Sequence, residues 1–204
     1  MKRGGLPRVV EAALAFGGLL VVSPLLAIIA VAVLAGSGAP VLFTQSRVGR
    51  HGRPFRLYKF RTMVTGNSGP AVTAGDDRRI TRVGRILRRT KLDELPELWN
   101  VFRGDMSLVG PRPEAPRYVR ENEPRWQRVL EARPGLTDPV TLSLIDEESL
   151  LAAVTGDREQ FYLDELLPKK LDGYVAYLDR RTWRTDLEVL LLTVKAIVSR
   201  VTGR

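Results

Sequence analysis

The spacing of apolar and polar positions changes character several times along the chain. Between Ala12 and Ser46 there is no charged residue. The densest part of this run, Ala12 to Leu34, is long enough to cross a hydrocarbon core, which takes about 20 apolar residues. Two short β segments follow, VLFTQSRV and PFRLYKF, around Gly49-Arg50-His51-Gly52. Gly at both ends of so short a connection signals a hairpin. The period then becomes helical. Val83, Ile86, Leu87 and Thr90 mark a helix over Arg79–Lys91, and Leu92, Leu95, Leu98, Trp99 and Phe102 mark another. Further helical segments are expected within Arg117–Arg133, Glu147–Val154 and Phe161–Tyr177, the last interrupted near Pro168. From Trp183 to Val198, a broad face of Trp183, Leu187, Leu190, Leu191, Val194 and Val198 stands apart from Arg184, Glu188 and Lys195. Such a face packs on a core or lies in a membrane interface. The expected class is α+β and mostly helical.

The first apolar run exceeds the roughly 7–15 residues of a signal-peptide core, and no small-residue cleavage site precedes Arg47, so it reads as a retained membrane segment. Ser23-Pro24 sits near its middle. Proline removes a backbone donor there, and in lipid the neighbouring hydroxyl can re-satisfy the ladder. Lys2, Arg3 and Arg8 precede the run; Arg47, Arg50, Arg53, Arg56, Lys59 and Arg61 follow it. Positive flanks favour the cytoplasmic side, and here both ends carry them. A kinked single span and a re-entrant helix–break–helix both remain open on these grounds.

Composition narrows the chemistry. With 204 residues the chain is about one domain. It has no Cys and a single His51, which excludes disulfides, thiolate nucleophiles and multi-His metal sites and leaves acid–base work to carboxylates. Residues 1–91 hold sixteen Lys or Arg against three acids; residues 92–204 hold sixteen against twenty. A basic first half points to a polyanionic surface or to phosphates. Residues 64–77, rich in Gly, Ser, Thr and Pro, read as a loop.

The stretch TRVGRILRRTKLDELPELWNVFRGDMSLVGPRPE, Thr81 to Glu114, concentrates the candidate chemistry. Asp93 and Glu94 follow a purely basic helix. Pro96 cannot lie inside the next helix, so that helix is expected to begin just before it, with Asp93 at or near the N-cap. Capping is therefore the plain structural alternative for this pair, and the near-copy LDELLP at 163–168, expected to be ordinary helix, shows that the dipeptide alone proves little. Context distinguishes the first copy. Pro111 and Pro113 bracket Arg112 and pre-organise its fork for a phosphate. A carboxylate attacking phosphorus needs Arg or a divalent metal to neutralise the charge, and the pair supplies a nucleophile and a hard-oxygen ligand for Mg²⁺.

These residues resemble the small monotopic phosphoglycosyl transferases, the bacterial sugar transferase family. The resemblance runs through Ser23-Pro24, residues 40–63, residues 79–114 and RPGLTDP at 133–139. It implies transfer of a phosphosugar from a UDP-sugar to a polyprenol phosphate such as undecaprenyl phosphate, releasing UMP. It further implies Asp93 as the nucleophile of a ping-pong reaction, Glu94 as the Mg²⁺ ligand, and Lys59, Arg61, Arg88, Arg112 and Arg133 with Pro111 and Pro113 in the phosphate-binding motifs. Ser23-Pro24 would then be a re-entrant break. Residues 1–40 would form the membrane hairpin and 41–204 a domain on the cytoplasmic face of the bacterial inner membrane. The chain has the extent of the minimal catalytic form, with bilayer, lipid phosphate and UDP-sugar as partners, no nucleic acid, and a homodimer as an option. It departs from many relatives after the PG motif, reading LTDPVTLSLIDEESLL where they carry a Gly-rich segment, which leaves the sugar open. The rival reading is a membrane-tethered basic module that binds anionic lipid or nucleic acid without catalysis.

Overall fold

The computed structural model describes residues 4–64, 66, 75, 77–144 and 147–202. Most of the loop expected over 64–77 therefore lies outside the described residues. Helix α1 runs from Arg8 to Ser37, thirty residues. At 1.5 Å per residue that is about 45 Å, and by length and composition it could cross a membrane. The expected break at Ser23-Pro24 does not interrupt it. Pro24 has no N–H for the carbonyl of Leu20, and the Ser23 hydroxyl donates to that carbonyl at 2.8 Å.

One side of α1 packs on the protein, burying Ala15, Ile29 and Val33; the other leaves Leu20, Val21, Leu25, Ile28 and Val31 exposed. Both ends are fastened to the same body. The Leu6 N–H just before it donates to Asp186 at 3.0 Å, Arg8 donates to Phe102 O at 2.6 Å, and the buried Glu11 accepts the Leu108 N–H at 3.1 Å. At the far end, Arg61 donates to the carbonyls of Ser37 (2.6 Å), Gly38 and Ala39 (2.8 Å). A cation on the last carbonyls of a helix satisfies orphan acceptors and opposes the negative end of its dipole.

The hairpin forms as expected. Strands β1 (Leu42–Val48) and β2 (Pro54–Phe60) pair antiparallel from Leu42↔Phe60 to Val48↔Pro54, and the turn uses left-handed His51 and Gly52. Leu57 and Phe60 turn inward. Helix α2 (Arg82–Thr90) is capped by the Thr81 hydroxyl and ends at Lys91 in a left-handed conformation. A 3₁₀ turn over Leu92–Glu94 leads to α3 (Glu97–Arg103).

A second, parallel pair joins β3 (Ser107–Val109) to β4 (Gly135–Thr137), with α4 (Pro124–Leu130) in the crossover. The sequence pattern gave no strand here, because each is three residues long. The pairing explains the Gly of the RPG motif: a Cβ on Gly135 would collide with the backbone of Gly110. The two motifs are therefore neighbours in space, and the turn bearing Arg112 is backed by the strand that follows Arg133. Short helices α5 (Pro139–Ser143), α6 (Glu147–Ala153) and α7 (Arg158–Phe161) precede α8 (Leu167–Arg180) and α9 (Trp183–Thr202). The core gathers Val101, Met106, Val109, Trp126, Leu171 and Tyr174 from these elements.

The LDEL echo is not ordinary helix. Tyr162–Leu166 forms a π turn in which the Leu167 N–H reaches back five residues to Tyr162 O. Pro168 follows at the start of α8, where its missing N–H is harmless. The chain therefore continues through Pro168, with the irregularity placed just before it.

Candidate active site

Asp93 does not cap a helix. Helix α3 starts at Glu97 with Pro96 in the capping position. The 3₁₀ turn, launched by Lys91 at φ 59°, instead carries Asp93 inward, where its side chain is buried. A left-handed lysine is uncommon and costs on the order of 1 kcal/mol. Among the described residues, Asp93 Oδ1 is buried without a hydrogen-bond partner. Burial, followed by the charge of Glu94, raises the Asp93 carboxyl above its ordinary range, while Lys59, Lys91 and Arg88 act against that rise.

Glu94 has the opposite surroundings. Its Oε1 accepts from Lys59 Nζ at 3.0 Å and from Arg112 Nη2 at 2.6 Å. Burial works to raise it, but Arg112 and then Lys59 outweigh that and hold its carboxyl well below the usual range. Two adjacent carboxylates are thus pushed apart, Asp93 upward and Glu94 downward. That separation is how neighbouring acids acquire different roles.

A third carboxylate escaped the sequence reading. Glu97 is buried, and its Oε1 stands 3.2 Å from Lys59 Nζ without hydrogen-bond geometry. Burial pushes its carboxyl up to about 7, against the pull of Lys59. Glu97 follows Glu94 by three residues, a helical neighbour's spacing, and that spacing was the available signal.

The predicted phosphate residues separate into two groups. Lys59, Arg88 and Arg112 converge on the acidic pair: Lys59 and Arg112 by direct bonds, and Arg88 through its field on Asp93, while it also lies 3.5 Å from the Thr62 hydroxyl. Pro111 and Pro113 hold the Arg112 turn, with Pro111 O accepting the Gly135 N–H at 2.9 Å. Arg61 and Arg133 do other work. The buried Arg61 guanidinium is spent on the end of α1, and Arg133 Nε donates to Gly104 O at 3.1 Å, at the far end of α3. Both were matched to motifs by position, and sequence position does not report which way a side chain points.

Behind Arg112 lies a buried network absent from any local pattern. Glu114 accepts from the Tyr162 hydroxyl at 2.6 Å and Lys170 Nζ at 3.1 Å, and its carboxylate lies 3.8 Å from Arg47. Arg47 also donates to Pro113 O at 3.3 Å. Burial raises Glu114, but Lys170 and the tyrosine hydroxyl overcome it and leave its carboxyl lowered. The π turn brings Tyr162 into this network. It braces the Gly-Pro-Arg-Pro-Glu segment through Glu114 and Pro113.

Among the described residues, no three acidic or imidazole side chains are grouped as a metal cage. Mg²⁺ is commonly held by one or two carboxylates together with substrate phosphates, so this site meets its ordinary requirement. Lys59 and Arg112 share one oxygen of Glu94, leaving Oε2 as a candidate ligand.

The site is thus a buried carboxylate pair contacted by Lys59 and Arg112, on a body that also carries the exposed apolar helix α1. The bacterial sugar transferase family model matches residues 3–200, and the chain belongs to that family. A Caulobacter vibrioides protein named UDP-glucose:undecaprenyl-phosphate glucose-1-phosphate transferase is 40% identical over 183 residues, covering 87% of this chain and 64% of the relative. An Escherichia coli protein of the same name is 36% identical, covering 86% of this chain and 36% of the relative. A Bacillus subtilis protein named putative undecaprenyl-phosphate N-acetylgalactosaminyl 1-phosphate transferase is 41% identical over 116 residues, covering 56% of this chain and 65% of the relative. The chain thus spans between about a third and two thirds of the length of these relatives.

Proposed function

We propose that the chain transfers a sugar 1-phosphate from a UDP-sugar to undecaprenyl phosphate, with Asp93 as the nucleophile. The observation that carries this reading is the unpartnered, buried Oδ1 of Asp93 beside a Glu94 already neutralised by two cations. Buried carboxylate oxygens are normally hydrogen-bonded, so a free one marks a group kept for another partner.

In the first step an Asp93 oxygen bonds to the β-phosphorus of the donor, the phosphorus–oxygen bond to UMP breaks, and UMP leaves with that electron pair. In the second, an oxygen of the lipid phosphate attacks the same phosphorus and the Asp93 carboxylate is released. Neither step has a net proton requirement, but Asp93 must be ionised to attack. Lys59, Lys91 and Arg88 favour that form. Arg112 and Lys59 supply positive charge where the pyrophosphate oxygens gain negative charge, the term that usually dominates such catalysis. When bound through Glu94, Mg²⁺ would act as a Lewis acid toward the diphosphate.

The lipid acceptor fits the long apolar helix. Its two ends are fastened to one body, which supports both ends lying on the cytoplasmic face. A straight crossing would carry one end about 30 Å away, through the hydrocarbon. The test is UMP release from a panel of UDP-sugars with undecaprenyl phosphate and Mg²⁺. Release with one donor, dependent on the lipid for continued turnover, is the expected result. No release from any donor would overturn the reading.

A further inference from the structure

Helix α2 divides its arginines between two faces. Arg88 is on the side of Thr62 and Asp93. Arg82, Arg85 and Arg89 are exposed, and with the exposed Ile86 they form one stripe at helical spacing. The opposite face, Val83 and Leu87, packs against Ile29 and Val33 of α1. The stripe therefore points away from the protein, on a helix bound to the apolar one.

Two features characterise this stripe. First, the helix contains no acid, even in its first turn, where an acid would be favoured by the dipole. Like charges at three- and four-residue spacing cost a few tenths of a kcal/mol per pair, and α2 carries several. Second, its exposed arginines have no ion-pair partner among the described residues, unlike those facing α8. There Arg125 pairs with Glu123 and Asp172, and Arg128 with Glu131 and Asp179. Elsewhere Arg103 pairs with Asp105 and Arg117 with Glu159. The like charges lie on a helix that packs on α1, and a large aliphatic side chain, Ile86, sits amid them, 64% exposed.

We propose that the Arg82–Arg85–Arg89 stripe with Ile86 docks on anionic phospholipid headgroups, the arginines meeting lipid phosphates and Ile86 entering the acyl boundary. The surface would make the protein's seating depend on lipid charge, a property separate from the chemistry at Asp93. Each basic residue near an anionic leaflet contributes roughly fivefold in binding. The proposal rests on α1 being a membrane helix and not on the transfer reaction.

The chain has no Cys, so Ile86→Cys gives a single site for an environment-sensitive fluorophore in the full-length protein. Nanodiscs of phosphatidylcholine are compared with discs containing increasing phosphatidylglycerol. The expected result is a blue shift that grows with phosphatidylglycerol and is lost in Arg82→Gln/Arg85→Gln/Arg89→Gln. It is kept in the corresponding triple Lys variant and in Arg125→Gln/Arg128→Gln. A spectrum indifferent to lipid charge, or a shift that survives the Gln triple, would overturn the proposal. So would a shift produced by an oligonucleotide and not by anionic discs. The readout needs no turnover, so it can fail or succeed independently of UMP release.

Discussion

Arg112 donates to Glu94 at 2.6 Å from a turn in which proline stands on both sides of it. The bond joins the Gly-Pro-Arg-Pro segment to the acidic pair across eighteen residues, and it is the strongest influence keeping Glu94 ionised after burial is counted. Charge-assisted bonds of this geometry are short and directional.

Arg112→Ala should therefore lower kcat/KM by about a hundredfold or more, the scale of losing a charge-stabilising donor in a closed site. Glu94 titrates low because of that guanidinium, so its loss should move the acid limb of the pH–rate profile to higher pH. Arg112→Lys should keep the charge but lack the fork, giving an intermediate rate. The pH–rate profiles of the three proteins check this, and an unmoved acid limb in Arg112→Ala would contradict it.

Glu97 makes stability fall as pH rises. Its carboxyl stands at about 7 in the folded chain against 4.5 in its ordinary state. Between those values the folded chain holds a proton that the unfolded chain has released. Stability present below pH 4.5 is lost as pH climbs to 7, on the order of 3 kcal/mol in all. Glu97→Gln removes the slope, so its Tm should gain on the parent between pH 5 and 8, as thermal melts in detergent would show.

Arg61 separates packing from chemistry. With its guanidinium spent on three carbonyls at the end of α1, Arg61→Gln should cost about 2–3 kcal/mol. That corresponds to a Tm drop of about 4–12 °C for a chain of this size. Turnover per folded molecule should stay within about twofold, whereas a phosphate-binding role would appear as a large rise in the donor KM.

The topology is open to the same cysteine-free background. Single cysteines at Gly4 and at Arg53, both exposed, should react together with an impermeant maleimide from the cytoplasmic side. Labelling of the two from opposite sides would show a straight span.

Much of this arrangement was legible from local chemistry. The hairpin announced itself through Gly49 and Gly52, and the acidic pair through its basic approach and the prolines around Arg112. Ser23 behaves as its place before Pro24 requires. What escaped depended on distance along the chain. Strands β3 and β4 are too short for a period to register, and nothing near Glu114 announces Lys170, fifty-six residues on. The place of Asp93 was misjudged because Pro96 fixes where a helix cannot continue, while the left-handed Lys91 decides where Asp93 goes. Arg61 and Arg133 looked equivalent to Arg112 in sequence, and only packing distinguishes them.

The central claim is that Asp93 is the atom donor to phosphorus. Its most direct test is the intact mass of the protein after exposure to a turnover-competent UDP-sugar and Mg²⁺ without lipid acceptor. The account predicts a gain of one sugar phosphate, mapped to the peptide bearing Asp93, absent in Asp93→Asn and discharged by undecaprenyl phosphate. UMP release that requires the lipid from the first turnover, with no adduct on the trapped protein, would contradict it.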